Sequence, residues 1–172
     1  MEYRIETLCP KQLVGMHMGM SYINNKTAEL WRTFMPIRNQ VKNRVDQQYY
    51  SMQIYQNTFE LGTFNPSKLF TKWATVEVAE FESIPSGMDQ YMLNGGLYAV
   101  FIHHGPASEF EKSFRYIFEQ WLPNSDYEMD DREHFELLQE GYNPMDVNAI
   151  EEIWVPIVCK KTFKSGLRCE LI

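Results

Sequence analysis

The chain predicts an α+β fold of two fused strand–helix–strand–strand modules, with antiparallel sheets, helices on one face and a central ligand cleft. Three observations lead there. Short segments with the period-two alternation of half-buried strands recur over residues 3–158. Two stretches with helical spacing interrupt them, one in each half. The order of elements also repeats: strand 13–20, helix 28–44, strand 49–55 and strand 73–81 are followed by strand 97–104, helix 108–121, strand 134–139 and strand 150–158. The expected organisation is one domain over residues 1–158, with pseudo-repeat halves of about 1–70 and 71–158, and a loose tail at 159–172.

Each element has its own local reason. Residues 3–8 alternate as a short strand that Pro10 ends, and residues 13–20 form the next, with Gly15 and Gly19 permitting bends or close backbone approach. Leu30, Trp31, Phe34 and Met35 fall on one helical face that Val41 and Val45 extend, and Pro36 predicts a kink or two short helices. In the strand 49–55, Tyr50, Met52 and Ile54 share a side. Residues 73–81 alternate cleanly, and a turn-rich stretch from Ile84 to Gly96 follows. Ser108 and Glu111 have the spacing of a capping box at the head of the second helix, whose stripe is Phe110, Phe114, Ile117 and Trp121 and which Pro123 stops.

Composition narrows the function classes. The 172 residues are 44% apolar and 15% aromatic, enough for a substantial core and for aromatic pockets. A net charge of −7 argues against direct nucleic-acid binding. The acids concentrate over residues 126–152, where Arg132 is the one Lys or Arg; that stretch is either a solvated face or a negative field that attracts cations. Cys9, Cys159 and Cys169 make no Cys-x-x-Cys pair, which fits a reduced, cytoplasmic setting. Neither a signal peptide nor a membrane-length apolar run is visible. His17, His103, His104 and His134 have no metal-ligand spacing and no phosphate loop or nucleophile motif occurs, so neither metal nor cofactor is expected.

The segment 150–157 carries the most chemistry. By alternation Glu152, Trp154 and Pro156 share one side, while Ile153, Val155 and Ile157 share the other and read as core. A carboxylate beside an indole suits an aromatic or cationic small molecule. Candidate ligand-binding residues are therefore Glu152, Trp154, Tyr98, Glu136, Tyr50 and Met52. Glu136 shares a side with Leu138 and faces either solvent or the cleft; were it to converge with Glu152, the two could serve as general base and acid.

A series of motifs in the second half carries a family resemblance. Gly95-Gly96-Leu97-Tyr98-Ala99-Val100-Phe101-Ile102-His103-His104-Gly105-Pro106 is followed by Trp121-Leu122-Pro123-Asn124-Ser125, His134-Phe135-Glu136-Leu137 and Glu151-Glu152-Ile153-Trp154-Val155-Pro156-Ile157. This series resembles the GyrI-like domain, also called the AraC-type or bacterial transcription activator effector-binding domain, over residues 73–157; the first half matches by element order and Trp31 alone. The resemblance implies paired modules around a cleft that binds lipophilic, often cationic, aromatic compounds, with an acid at its floor that the motif aligns with Glu152. It also implies two alternatives: hydrolysis of reactive xenobiotics such as cyclopropane-containing genotoxins, using Glu136 and Glu152, or interaction with DNA gyrase or a regulator. Strand signals from Tyr3 leave no space for a helix-turn-helix ahead of the domain, so a stand-alone, multidrug-type binder is the leading expectation.

Overall fold

The computed structural model describes residues 1–55 and 65–160; the expected loose tail, with Lys161, Lys164, Arg168 and Cys169, lies almost wholly outside them. Among the described residues nine strands pair antiparallel throughout: β1 (Tyr3–Leu8), β2 (Lys11–Met20), β3 (Tyr49–Tyr55), β4 (Phe70–Val78), β5 (Asp89–Leu93), β6 (Gly96–His104), β7 (Tyr127–Met129), β8 (His134–Leu138) and β9 (Ile150–Cys159). Their order is β1-β6-β9-β8-β3-β4-β2-β5, with β7 added alongside the end of β9. The fold is thus α+β, with one continuous antiparallel sheet in place of separate ones. The order reads alike from both ends: β3 and β8 meet in the middle, β4 and β9 flank them, and β2 and β6 come next. The strand that precedes each half crosses over, since β1 pairs with β6 and β5 pairs with β2.

The two faces of the sheet are buried by different means. On one face Leu8, Leu13, Tyr50, Met52, Trp73, Leu93, Tyr98, Val100, Phe135, Leu137 and Trp154 form a single buried cluster drawn entirely from strands. No helix contributes to it, so the sheet must curl until its own two wings cover this face. Two close approaches between paired strands require glycine. A Cβ on Gly15 would lie 2.0 Å from the carbonyl oxygen of Ala74, and one on Gly95 would lie 2.6 Å from that of Leu8.

The outer face carries the helices. Helix α1 (Thr27–Phe34) packs Leu30 and Phe34 onto Val14, Ala74, Val76 and Val78. Pro36 ends α1, and a separate 3₁₀ turn follows at Arg38–Gln40, so the expected pair of short helices is present. Val41 is buried beneath that turn, whereas Val45 is exposed: the helical face read through residue 45 stops when the helix does. The second helix begins at Phe110 after a 3₁₀ turn at Ala107–Glu109, and no side chain caps it. Ser108 lies inside that turn, which is why the capping-box spacing produces no cap. Helix α2 (Phe110–Arg115) continues through a π-helical turn at Tyr116–Trp121 into α3 (Leu122–Asn124), placing Ile117, Phe118 and Leu122 over Phe101, Ile153 and Val155. None of the described helices is long and apolar enough to cross a membrane.

Val45 and the inner cluster give a direct stability comparison. Phe135, 1% exposed and stacked on Trp154, should cost about 3–5 kcal/mol when replaced by alanine. Val45→Ala should stay within about 0.5 kcal/mol, because Val45 is 55% exposed. Urea denaturation monitored by tryptophan fluorescence measures both.

Candidate functional site

Alternation along three neighbouring strands decides which side chains meet. On β3, Tyr49, Ser51 and Gln53 face outward; on β8, Glu136 and Leu138 do; on β4, Phe70 and Lys72 do. These residues floor a cleft of about 630 Å³ between the two helical layers. Helix α1 supplies one wall through Thr27, Ala28 and Trp31, and Met35 just past its end continues the same face. Ala107 and Phe110 form the opposite wall, and the connection through Gly141, Tyr142 and Pro144 closes one end. The Ala107 amide donates to the Pro144 carbonyl at 2.8 Å, which ties that end to the head of α2. Aromatic groups dominate the walls: Tyr22, Trp31, Tyr49, Phe70, Phe110 and Tyr142.

Buried charge sits in the floor. The Lys72 ammonium, only 5% exposed as a residue, donates to Glu136 Oε2 at 2.7 Å, to Gln53 Oε1 at 2.8 Å and to the Ser51 carbonyl at 3.4 Å. The Gln53 amide nitrogen then donates to Glu136 Oε1 at 2.6 Å. Cation, amide and carboxylate form a closed triangle on three adjacent strands, with both Glu136 oxygens engaged. Each charge answers the desolvation of the other, so this floor is polar yet internally neutral.

Glu151 is different. It is 5% exposed, follows the exposed Ile150 at the start of β9, and lines the same cleft. Its register partner is Leu138, and Glu136 sits opposite Ile153, so the two carboxylates occupy diagonal positions on one face of neighbouring strands. Burial pushes the Glu151 carboxyl up to about 7, with the Glu136 charge adding to the rise; a hydrogen bond from Tyr142 and the Lys72 charge oppose it. The Tyr142 hydroxyl is itself raised, first by burial and then by Glu151. The cleft floor therefore holds one neutralised pair and one carboxyl that changes charge near neutral pH.

The sequence-derived candidates divide between the faces. Glu136 lines the cleft. Trp154, Tyr98, Tyr50 and Met52 lie on the opposite face, in the inner cluster, and are 4%, 0%, 2% and 0% exposed. Glu152 also points to that side: it pairs with the Arg4 guanidinium at 2.9 Å and accepts the Trp154 indole N–H at 2.9 Å. Arg4 lies over the Trp154 ring, 5.6 Å from its centroid. The expectation that Glu152 and Trp154 share a face is met, but that face is not the cleft's. The physical reason is a one-residue offset. The aliphatic side of β9, Ile153, Val155 and Ile157, is core under α2, and the residue that continues this side past the helix is Glu151. Glu136 and Glu152 point to opposite faces of the sheet. Missed by sequence reasoning were Glu151, Lys72, Gln53 and Trp31 as cleft residues; the signal that could have found them is the face shared with Glu136 once β3, β8 and β9 are placed side by side. Among the described residues no group of three or more His, Cys, Asp or Glu side chains is arranged to hold a metal ion.

The fold agrees with comparisons to known proteins. The profile of the GyrI-like small molecule binding domain matches residues 1–158, and the chain belongs to that family. No curated protein sequence matches the chain. Among solved structures, SAV2435 bound to tetraphenylphosphonium aligns with a TM-score of 0.66 and 21% identity, covering 92% of this chain and 94% of that one. The C-terminal domain of EcmrR aligns with a TM-score of 0.66 and 13% identity over 92% of this chain and 98% of the other. A hydrolase encoded by lin2189 from Listeria innocua aligns with a TM-score of 0.58 and 10% identity over 91% and 92% of the two chains.

The Glu151 carboxyl offers a pH test that needs no ligand. Because folding raises it from 4.5 to about 7, the native state holds the proton more tightly than the unfolded chain. Its stabilising contribution is complete below about pH 4.5 and is lost as pH rises through about 7. Glu151→Gln should remove this part of the stability–pH profile, measured by denaturant unfolding between pH 5 and pH 8. Replacing Glu136 by Gln should move the Glu151 titration downward in carboxyl carbon NMR.

Proposed function

We propose that this GyrI-like domain binds aromatic, cationic or amphipathic small molecules in the cleft between α1 and the head of α2, with Glu151 as the charge that selects a cation. The observation that carries this reading is the buried, uncompensated Glu151 carboxyl in an aromatic-walled cleft of about 630 Å³. Lys72 and Glu136 cancel, so with Glu151 ionised the cleft has one net negative charge, and a cation there restores balance. Trp31 and the tyrosines give such a cation π faces as well as apolar contact. Tetraphenylphosphonium, bound by SAV2435, has this chemistry and serves as the probe. On the same reading residues 1–158 act as one domain whose halves meet where β3 lies beside β8. The gyrase- or regulator-interacting alternative rests on the family resemblance alone.

A second reading, hydrolysis, is favoured by one observation. A carboxyl that titrates near 7 beside a tyrosine hydroxyl in an apolar cleft is placed to act as a general base on water against a strained electrophilic ring. This moves the catalytic assignment from Glu136 and Glu152 to Glu151 and Tyr142. Glu136 becomes a positioning group, through Lys72.

Isothermal titration with tetraphenylphosphonium separates these roles. Affinity should rise from pH 6 to pH 8 as Glu151 ionises. Glu151→Gln should weaken binding at pH 8 about tenfold or more and abolish the pH dependence. Glu152→Gln, on the other face, should bind as the parent does; equal losses in both variants would return the selecting charge to Glu152. Incubation with a cyclopropane-containing electrophile, followed by mass spectrometry, should show a product heavier by one water only if the hydrolytic reading holds.

A further inference from the structure

Strand β1 is one edge of the sheet, and among the described residues it pairs with β6 alone. Its register runs without a bulge from Tyr3, opposite Phe101, to Leu8, opposite Gly96. The Ile102 amide donates to the Glu2 carbonyl at 3.1 Å, so the backbone of Glu2, and by alternation that of Arg4 and Glu6, points into this ladder. The N–H and C=O groups of Tyr3, Ile5 and Thr7 therefore point off the sheet. Among the described residues no hydrogen bond reaches them. Open edges are commonly blunted by proline, lysine or a bulge. β1 has none of these, and it leaves Tyr3 49% and Ile5 37% exposed.

The sequence of this edge is complementary to itself. Two antiparallel copies related by a two-fold axis through Ile5 set Ile5 opposite Ile5, Tyr3 opposite Thr7 and Arg4 opposite Glu6. Backbone parity allows this register, because the three outward residues then face one another and each facing pair exchanges two hydrogen bonds. Arg4 and Glu6 fall in the closer, non-hydrogen-bonded positions, where opposite charges attract most. An axis through Arg4 or Glu6 would set like charges against each other, and one through Tyr3 or Thr7 would engage only part of the edge. The other edge strand, β5, reads Asp89-Gln90-Tyr91-Met92-Leu93 and has no cation to answer Asp89 in a second copy.

We propose that β1 is a docking edge for a second copy of this chain, giving a symmetric dimer in which the sheet runs on from one copy into the other. On the outer face Ile5 meets Ile5, flanked by Tyr3, whose ring already packs 5.8 Å from that of Phe101 and 5.3 Å from that of Trp121. On the inner face the Arg4 Nε contacts Glu6 Oε2 of its own chain at 2.8 Å and its Nη2 contacts Glu152 Oε1 at 2.9 Å. Arg4 Nη1 and Glu6 Oε1 lie outside both contacts and are the atoms that meet across the axis. An interface built on one short strand falls at the small end of the range, below roughly 1,200 Å², so the dimer is weak and dissociates on dilution. This edge is independent of the cleft and of the reading given to it above.

Sedimentation equilibrium of the full chain from about 10 μM to about 1 mM tests this, with a monomer–dimer Kd of about 100 μM expected. Ile5→Pro deletes an outward N–H and spares the β6 ladder; it should weaken association about tenfold or more. Glu6→Arg sets arginine against Arg4 across the axis and Arg4→Glu sets glutamate against Glu6, so each alone should also weaken it about tenfold. Mixing these two variants should restore a one-to-one dimer, since every arginine then faces a glutamate. Where Arg4→Glu fails to fold for want of a partner to Glu152, amide hydrogen exchange of the parent chain decides. The Tyr3, Ile5 and Thr7 amides should slow as concentration rises, while those of Arg4 and Glu6 are protected throughout. A chain monomeric to 1 mM, a dimer that Ile5→Pro leaves unchanged, or new protection along β5 in place of β1 would overturn the proposal.

Discussion

The structure depends on one constraint: a single antiparallel sheet must bury both of its faces, with only two helical layers available to cover one of them. The uncovered face solves this by curling on itself, so that Leu8 and Leu93, from the edge strands, join Tyr98, Phe135 and Trp154 in one strand-only cluster. Helices then cover the outer face under each wing, over Val14 and Val76 on one side and over Phe101 and Val155 on the other. The middle of the outer face, over β3 and β8, is what neither helix covers. The cleft is therefore a consequence of the topology: two helices over two wings leave a gap at the join.

That gap explains the polarity of its floor. The strand residues facing outward under the helices, such as Val14, Val76, Phe101 and Val155, are apolar, whereas outward residues at the join need not be. Ser51, Gln53, Lys72 and Glu136 occupy these positions, and the last three satisfy one another. The triangle needs three adjacent strands in register, since Gln53 pairs with Lys72 across one ladder and with His134, next but one to Glu136, across the other. A slip of one residue in β3 would send Gln53 into the inner cluster and leave two buried charges without their bridge.

Much of the fold was legible because period-two alternation survives wherever a strand has one aliphatic side. β3 was read to its observed ends, and β6, β8 and β9 to within a residue. What escaped had weak alternation or little length. β5 pairs on one side only and shows exposed Asp89 and Gln90, so it read as part of a turn-rich stretch, and β7 spans three residues. The site was legible in kind but not in side. Alternation leaves Glu136 facing either solvent or the cleft, on the side of Leu138, and both residues line the cleft. Trp154, Tyr98, Tyr50 and Met52 were chosen for chemistry a ligand would favour, yet aromatic rings and thioethers serve a closed core equally well. Alternation shows which residues lie together; it cannot show which face is the one a helix leaves bare.

The two adjacent acids at the start of β9 make the point in energetic terms. Glu152 turns inward at the rim of the strand-only cluster, where Arg4 from β1 reaches it and the Trp154 indole donates to it. The crossover of β1 onto β6 is what places that arginine there. Glu151 turns outward, to a gap with Glu136 nearby and Lys72 already committed. The same side chain one residue apart is thus compensated on one face and left wanting on the other. A structural carboxylate arrives with its counter-charge in the fold. A carboxyl buried without one, in a cavity with aromatic walls, is the member of the pair on which the proposed binding of a cation rests.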